Sequence, residues 1–118
     1  MSSKDDVRRL LEKAKNAVEV KSRVKLVLYP MKYKVASISL KTGVIRLNKN
    51  LLELFTDEEL YYILIHELLH IKHATLNHGE EFYKSLYTLY TLEDIERLEN
   101  SIAKKLIYVY IKAKKWLT

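Results

Sequence analysis

The residues His66-Glu67-Leu68-Leu69-His70 are the strongest chemical feature of the sequence. Two histidines four positions apart lie about 40° apart around an α-helix, one turn along its axis, so both imidazoles can converge on one ion. Zinc is commonly bound in this way, and a glutamate beside the first histidine can reach the zinc-bound water without binding the metal. The pattern therefore predicts a zinc site with Glu67 as the general base while water attacks a carbonyl group.

A catalytic zinc usually has a third protein ligand, and His78 is the best candidate. It lies in a predicted helix break at residues 77–79, where the chain can turn back towards the metal. Carboxylates remain alternatives: Glu80 and Glu81 directly after this break, or Glu93 and Asp94 on the following helix. His73 shares a helical face with His66 but lies nearly two turns away, so we expect it to be exposed or to support the ligands.

The helix that must carry this motif is predicted independently of the histidines. Thr56 and Glu59 have the spacing of a capping box, which marks a helix start. The following residues, to about Leu76, are apolar around most of the helical circumference. A helix of this kind is normally buried, so its histidines and glutamate need partners.

The other elements are indicated by apolar periodicity and by turn residues. We predict a first helix capped by Ser2 or Ser3 and ending near Val20, then strands at 24–30, 33–40 and 44–48. Gly43 suits the turn of a hairpin between the last two strands. Further helices are predicted at 80–90 and 92–116. Residues 35–40 could form a sheet edge that binds substrate as an added strand.

Length and composition limit the fold and the chemistry. With 118 residues, 48% of them hydrophobic, we expect a single globular domain over residues 1–118. The absence of cysteine excludes disulfides, thiolate metal sites and cysteine nucleophiles. The first residues lack the apolar core of a signal peptide, and no apolar run is long enough to span a membrane, so we expect a cytoplasmic protein.

The charge pattern is uneven and bears on the partners. The formal net charge is +6, and the last eighteen residues contain five lysines and no acid. The basic ends could contact DNA or an acidic membrane; alternatively, the last helix packs on the core with its lysines outward, or folds over the cleft. Residues 57–83 contain six acids and only Lys72 as a cation, which disfavours an anionic substrate at the metal.

Three segments, residues 43–48, 66–70 and 77–83, together resemble the YgjP-like and SprT-like zinc metallopeptidases, and WLM proteases share the pattern. The resemblance implies a zincin-like fold, one zinc ion per chain on His66, His70 and His78, and peptide or protein substrates. Asn48 and Phe82 match positions that look structural. The spacing of the second and third histidines departs from the YgjP-like pattern, because seven residues separate them here instead of five.

The chain also resembles the minigluzincins, compact peptidases with a glutamate as third ligand that can be latent. We therefore predict an α+β, zincin-like zinc metallopeptidase with an N-terminal helix, a three-stranded antiparallel sheet, the HExxH helix and two C-terminal helices. The alternatives are a latent or non-catalytic zinc-binding protein, with or without DNA, and another zinc hydrolase. The oligomeric state is left open.

Overall fold

The computed structural model describes residues 4–32 and 34–115, with side chains described as far as Lys112. The predicted cap at Ser2 or Ser3 and the predicted helix end at residue 116 lie outside this part of the chain. The elements in chain order are α1 (Lys4–Val18), β1 (Lys25–Tyr29), β2 (Ala36–Ser39), β3 (Val44–Asn48), a short 3-10 helix (Leu52–Leu54), α2 (Asp57–His73), α3 (Glu80–Leu89) and α4 (Leu92–Lys115).

The sheet has the order β1-β3-β2 and is mixed. The predicted hairpin is confirmed: β2 and β3 are antiparallel, and Gly43 has a φ of 68° in the turn between them. The prediction of a purely antiparallel sheet is wrong, because β1 runs parallel to β3. Strand patterns do not report sheet order. Here β3, with Ile45 and Leu47 fully buried, takes the centre and leaves β1 and β2 as edges.

The core is formed between α2, α1 and the inner face of the sheet. The apolar stripe of α1 packs against α2 through buried residues that include Val7, Leu11 and Ala14. Leu64 and Leu68 of α2 have no exposed surface, which confirms that this helix is buried around most of its circumference. None of the described helices combines the length and the apolarity that a membrane span requires.

The ends of α2 decide where its histidines lie. Thr56 and Glu59 form the predicted capping box, with hydrogen bonds of 2.8 and 3.1 Å. The helix ends at His73, three residues before the predicted end, because Ala74 adopts the left-handed conformation with a φ of 50°. The first helix likewise ends at Val18, where Glu19 has a φ of 60°. Single left-handed alanine or glutamate residues give no clear sequence signal.

Candidate metal centre

Three histidines from two parts of the chain meet at one point. His66 and His70 project from the same face of α2, and His78 lies in the connection between α2 and α3. The Nε2 atom of His78 lies 3.1 Å from the Nε2 atoms of both His66 and His70. One ligand atom from each histidine falls within 4.8 Å of the others, so the three could hold a metal ion.

The ring nitrogens in this cluster cannot satisfy one another. A ring nitrogen has either one N–H or one lone pair, so Nε2 of His78 cannot form good hydrogen bonds with two other nitrogens at once. His70 donates its Nδ1 hydrogen to the carbonyl oxygen of Thr75 at 2.9 Å, which leaves its Nε2 lone pair directed at the cluster. Ligand nitrogens around a tetrahedral zinc lie about 3.3 Å apart, given the usual zinc–nitrogen bond length. The arrangement therefore fits a shared metal ion.

The electrostatic environment favours neutral imidazoles. Burial lowers the pKa of His66 to about 4, and the neighbouring His70 and His78 contribute to the same shift. Burial also lowers the pKa of His70, although its hydrogen bond to Thr75 opposes the change. Neutral imidazole is the form that binds metals, so these side chains are in the required state at neutral pH.

A single aromatic ring supports the cluster from below. Phe82 of α3 is buried, and its ring centroid lies 5.1, 4.9 and 4.8 Å from those of His66, His70 and His78. Its packing restricts the orientation of all three imidazoles. This agrees with the structural role that the sequence resemblance implies for Phe82.

The alternative ligands lie elsewhere. The side chains of Glu80 and Glu81 are largely exposed and pair with Lys84 at 3.3 and 3.7 Å, and Glu93 is exposed at the start of α4. Within the described residues, no carboxylate joins the three-histidine group. His73 is separate from it and contacts the hydroxyl of Ser85 at 2.8 Å, which connects α2 to α3 on either side of the His78 segment.

Glu67 lines a cavity beside the histidines. The cavity has a volume of about 380 Å³, and both His66 and Glu67 line it. Its other walls come from residues 34–36, from α2 and from α4 and are mostly apolar: Lys34, Val35, Ala36, Tyr62, Ile63, Glu99, Ile102, Ala103 and Leu106. A cleft thus lies next to the candidate metal centre, and Glu67 and His66 both line it.

The pKa of Glu67 is raised, which favours its protonated, neutral form. Burial raises the pKa of its carboxyl group to about 7, while the positive charge of Lys34 acts in the opposite direction. A carboxylate with this pKa can both accept and release a proton near pH 7, which is the property required of a general acid–base group.

Sequence patterns did not settle two parts of this site. For the first, they allow α4 either to pack on the core or to fold over the cleft, and in the structure its Ile102 and Leu106 are half-buried and line the cleft. The second is Asn48, which is buried and anchors the segment before β2. Its side chain bonds the backbone of Met31 in both directions at 2.8 and 3.1 Å and donates to the carbonyl of Lys34 at 2.8 Å. Only the resemblance marked Asn48 as structural.

Contacts within the fold account for some of the lysines of α4. Lys105 forms an ion pair with the buried Glu59, which also accepts a hydrogen bond from Ser101 at 2.5 Å. Another lysine of this helix, Lys112, lies 5.2 Å from the ring centroid of Tyr108. These contacts favour a structural role for α4, and the contact with DNA stays a prediction.

The chain is similar to known proteins over most of its length. A family model described as the YgjP-like metallopeptidase domain matches residues 2–105. The uncharacterized protein MJ0123 of Methanocaldococcus jannaschii is 34% identical over 105 residues, which cover 89% of this chain and 96% of the relative. The uncharacterized protein aq_aa15 of Aquifex aeolicus is 41% identical over 86 residues, 73% of this chain and 77% of the relative.

Two crystal structures of metallopeptidase zymogens have a similar fold. Jannalysin of M. jannaschii superposes with a TM-score of 0.80 at 34% identity, covering 86% of this chain and 97% of jannalysin. Abylysin of Pyrococcus abyssi superposes with a TM-score of 0.78 at 36% identity, covering 85% of this chain and 94% of abylysin.

Proposed function

The chain belongs to the YgjP-like metallopeptidase family, and from that premise we propose that it is a zinc peptidase whose metal is held by His66, His70 and His78. The observation that carries the proposal is the 3.1 Å approach of the His78 Nε2 atom to both other Nε2 atoms. One zinc ion per chain, bound there, would polarise the scissile carbonyl and lower the pKa of a water molecule towards 7.

Glu67 is the general base in this proposal. It lies next to His66 on α2 and faces the cleft, so its carboxylate is available to a water molecule at the centre. Its pKa of about 7 allows it to take a proton from the water and later to release that proton to the leaving amine. Lys34 lines the same cleft and helps to keep the carboxylate ionised before the proton is taken.

The substrate in this proposal is an extended peptide that lies along β2. The backbone N–H of Asn48 donates to the carbonyl of Val35 at 2.8 Å, so alternate residues from Val35 bond to β3. The backbone groups of Ala36 and Ile38 therefore point to the open edge, where a peptide can add as a further strand. The apolar cleft walls indicate that an apolar substrate side chain is preferred beside the scissile bond.

Metal analysis tests the proposed site. We expect one zinc per chain in the wild type, loss of zinc in His66→Ala, and affinity weakened about tenfold or more in His78→Ala. His73→Ala is the matched control, because His73 lies on the same helix and contacts Ser85 instead of the cluster. Full zinc affinity in His78→Ala, or equal loss in His73→Ala, would contradict the three-histidine assignment.

A second candidate is that the chain adopts a latent form of the same peptidase. Ile102, Ala103 and Leu106 of α4 line the cleft that Glu67 also lines, and the two similar structures, jannalysin and abylysin, are metallopeptidase zymogens. The ion pair between Lys105 and Glu59 attaches α4 to the start of α2. In this form α4 occupies space that a bound peptide needs, and activity requires α4 to move.

A further inference from the structure

The edge of the sheet away from the cleft is also open. In β1, the N–H of Lys25 donates to the carbonyl of Gly43 at 3.0 Å, and the carbonyl of Tyr29 accepts from Lys49 at 3.1 Å. Alternate residues of β1 therefore bond to β3, and the backbone groups of Leu26 and Leu28 point outward. No other strand of the described chain pairs with this side of β1.

A cavity of about 480 Å³ follows this edge. Its floor is the strand itself, because five consecutive residues, 24–28, line it. The opposite wall is α1, which contributes Lys4, Arg8, Leu11 and Glu12. The outward N–H and C=O groups of β1 thus face a groove that runs parallel to the strand, where an extended chain segment can form backbone hydrogen bonds.

The groove is strongly cationic. Four basic residues from both walls line it, against the single acid Glu12: Lys4, Arg8, Arg23 and Lys25. All four are exposed, and none of them forms an ion pair with another described residue within 4.0 Å. Lysine on an edge strand also discourages self-association, but Lys4 and Arg8 belong to the helix and have no such role.

We propose that this β1 groove is a docking site for an extended, acidic segment of a protein. The segment adds to the sheet beside β1 through the backbone groups of Leu26 and Leu28. Its acidic side chains lie against Arg8 and Arg23. Backbone pairing supplies affinity in this mode of recognition, and the charges of the side chains supply specificity.

The backbone geometry favours a peptide over a nucleic acid. Phosphate groups are recognised by cations and by N–H donors, whereas the outward carbonyls of Leu26 and Leu28 would repel them. An extended peptide uses both the donors and the acceptors of an edge strand. Because the groove lies on the strand edge opposite β2, an occupant does not block the cleft that Glu67 lines.

Fluorescence anisotropy with a labelled peptide in which glutamate alternates with threonine tests the proposal on the full chain. We expect saturable binding that weakens about tenfold or more in the double variant Arg8→Glu, Arg23→Glu. The matched control is Lys41→Glu with Lys104→Glu, which makes the same charge change at exposed positions outside the groove and should leave affinity unchanged.

Methylation of the peptide backbone separates strand addition from simple charge attraction. N-methyl groups on one set of alternate residues should abolish binding, and those on the other set should be tolerated, since only one set faces β1. Equal affinity of both methylated peptides, or tighter binding of a single-stranded oligothymidylate through the same arginines, would overturn the proposal. Absence of saturable peptide binding would overturn it as well, and none of these results depends on peptidase activity.

Discussion

The two edges of the sheet offer the same backbone and opposite surroundings. At the start of β2, Ala36 lines a cleft with mostly apolar walls, one histidine of the candidate metal centre and Glu67. At β1 the outward groups of Leu26 and Leu28 face a groove with four exposed cations. We propose an added strand at both edges, and the side chains of the neighbouring helices then decide what each edge binds.

The difference follows from which helix covers each edge. The cleft at β2 lies between α2 and α4, and α2 is buried enough to shift the pKa of a carboxyl group towards 7. The groove at β1 lies against α1, and the arginine and lysine side chains that line it are exposed to solvent. In our proposals, burial suits one edge to proton transfer by Glu67, while exposure suits the other edge to recognition of charge.

The variant Glu67→Gln should show the largest difference between the two edges, by reducing hydrolysis at the cleft without changing peptide binding at the β1 groove. The amide has a volume similar to that of the carboxyl group but cannot take a proton, so we expect peptide hydrolysis to fall by a factor of about 10²–10⁴. Zinc content and binding of the acidic peptide at the β1 groove should remain at wild-type levels. Hydrolysis, elemental analysis and anisotropy on one preparation measure all three.

Full hydrolysis by the Glu67→Gln enzyme would remove Glu67 from its role as base. Loss of peptide binding at the same time would show that the two edges are not independent. Glu96→Gln is a suitable control, because it replaces an exposed carboxylate that lies outside both the cleft and the β1 groove.

Local patterns predicted most of what positions the cleft. The capping box at Thr56 and the apolar circumference gave the start and the burial of α2, and the spacing of His66 and His70 gave their common face. The helix break predicted that His78 could turn back, and the structure places its ring beside the other two. Its assignment as a ligand, and that of Glu67 as base, stay predictions until metal and activity are measured.

What the sequence did not reveal depends on contacts between distant residues. The parallel pairing of β1 arises because β3 inserts between two strands that precede it, and no local pattern encodes that order. Likewise, the sequence allows α4 to pack on the core or to fold over the cleft, and only tertiary packing places Ile102 and Leu106 in the wall of the cleft. The basic residues of α1 and β1 form one groove for the same reason.

Filling the cleft should lower peptide hydrolysis and leave peptide binding at the β1 groove unchanged. Leu106→Trp adds a large ring to a cleft wall, and we expect kcat/KM for peptide hydrolysis to fall roughly tenfold through loss of substrate space. Ile107→Trp is the matched control, because Ile107 is the next residue of α4 and its side chain is 57% exposed. Steady-state kinetics of both variants, with zinc content measured, tests this. Equal effects of the two tryptophans would show that the cavity does not admit substrate.

The variant Glu59→Gln should loosen α4, because Glu59 is the ion-pair partner of Lys105, and it should distinguish an open enzyme from a latent one. Burial alone would raise the pKa of Glu59, but hydrogen bonds from Lys105, Ser101 and the backbone of Thr56 outweigh it and lower the pKa overall. Glu59 therefore stabilises the fold above the ordinary glutamate pKa of 4.5, and this contribution is lost as the pH falls through the lower, folded value. Glu59→Gln should cost about 1–3 kcal/mol at neutral pH.

Denaturant unfolding across pH measures that cost, and the difference between wild type and Glu59→Gln should shrink below pH 4.5, the ordinary pKa of glutamate. A constant difference down to strong acid would mean that the charge of Glu59 is not what holds α4.

The rate of peptide hydrolysis by Glu59→Gln is decisive for latency. Faster hydrolysis at equal zinc content indicates that α4 obstructs the cleft, whereas unchanged or slower hydrolysis indicates that α4 is a fixed wall of the substrate site. Because α4 does not line the β1 groove, binding of the acidic peptide there should stay the same in both cases.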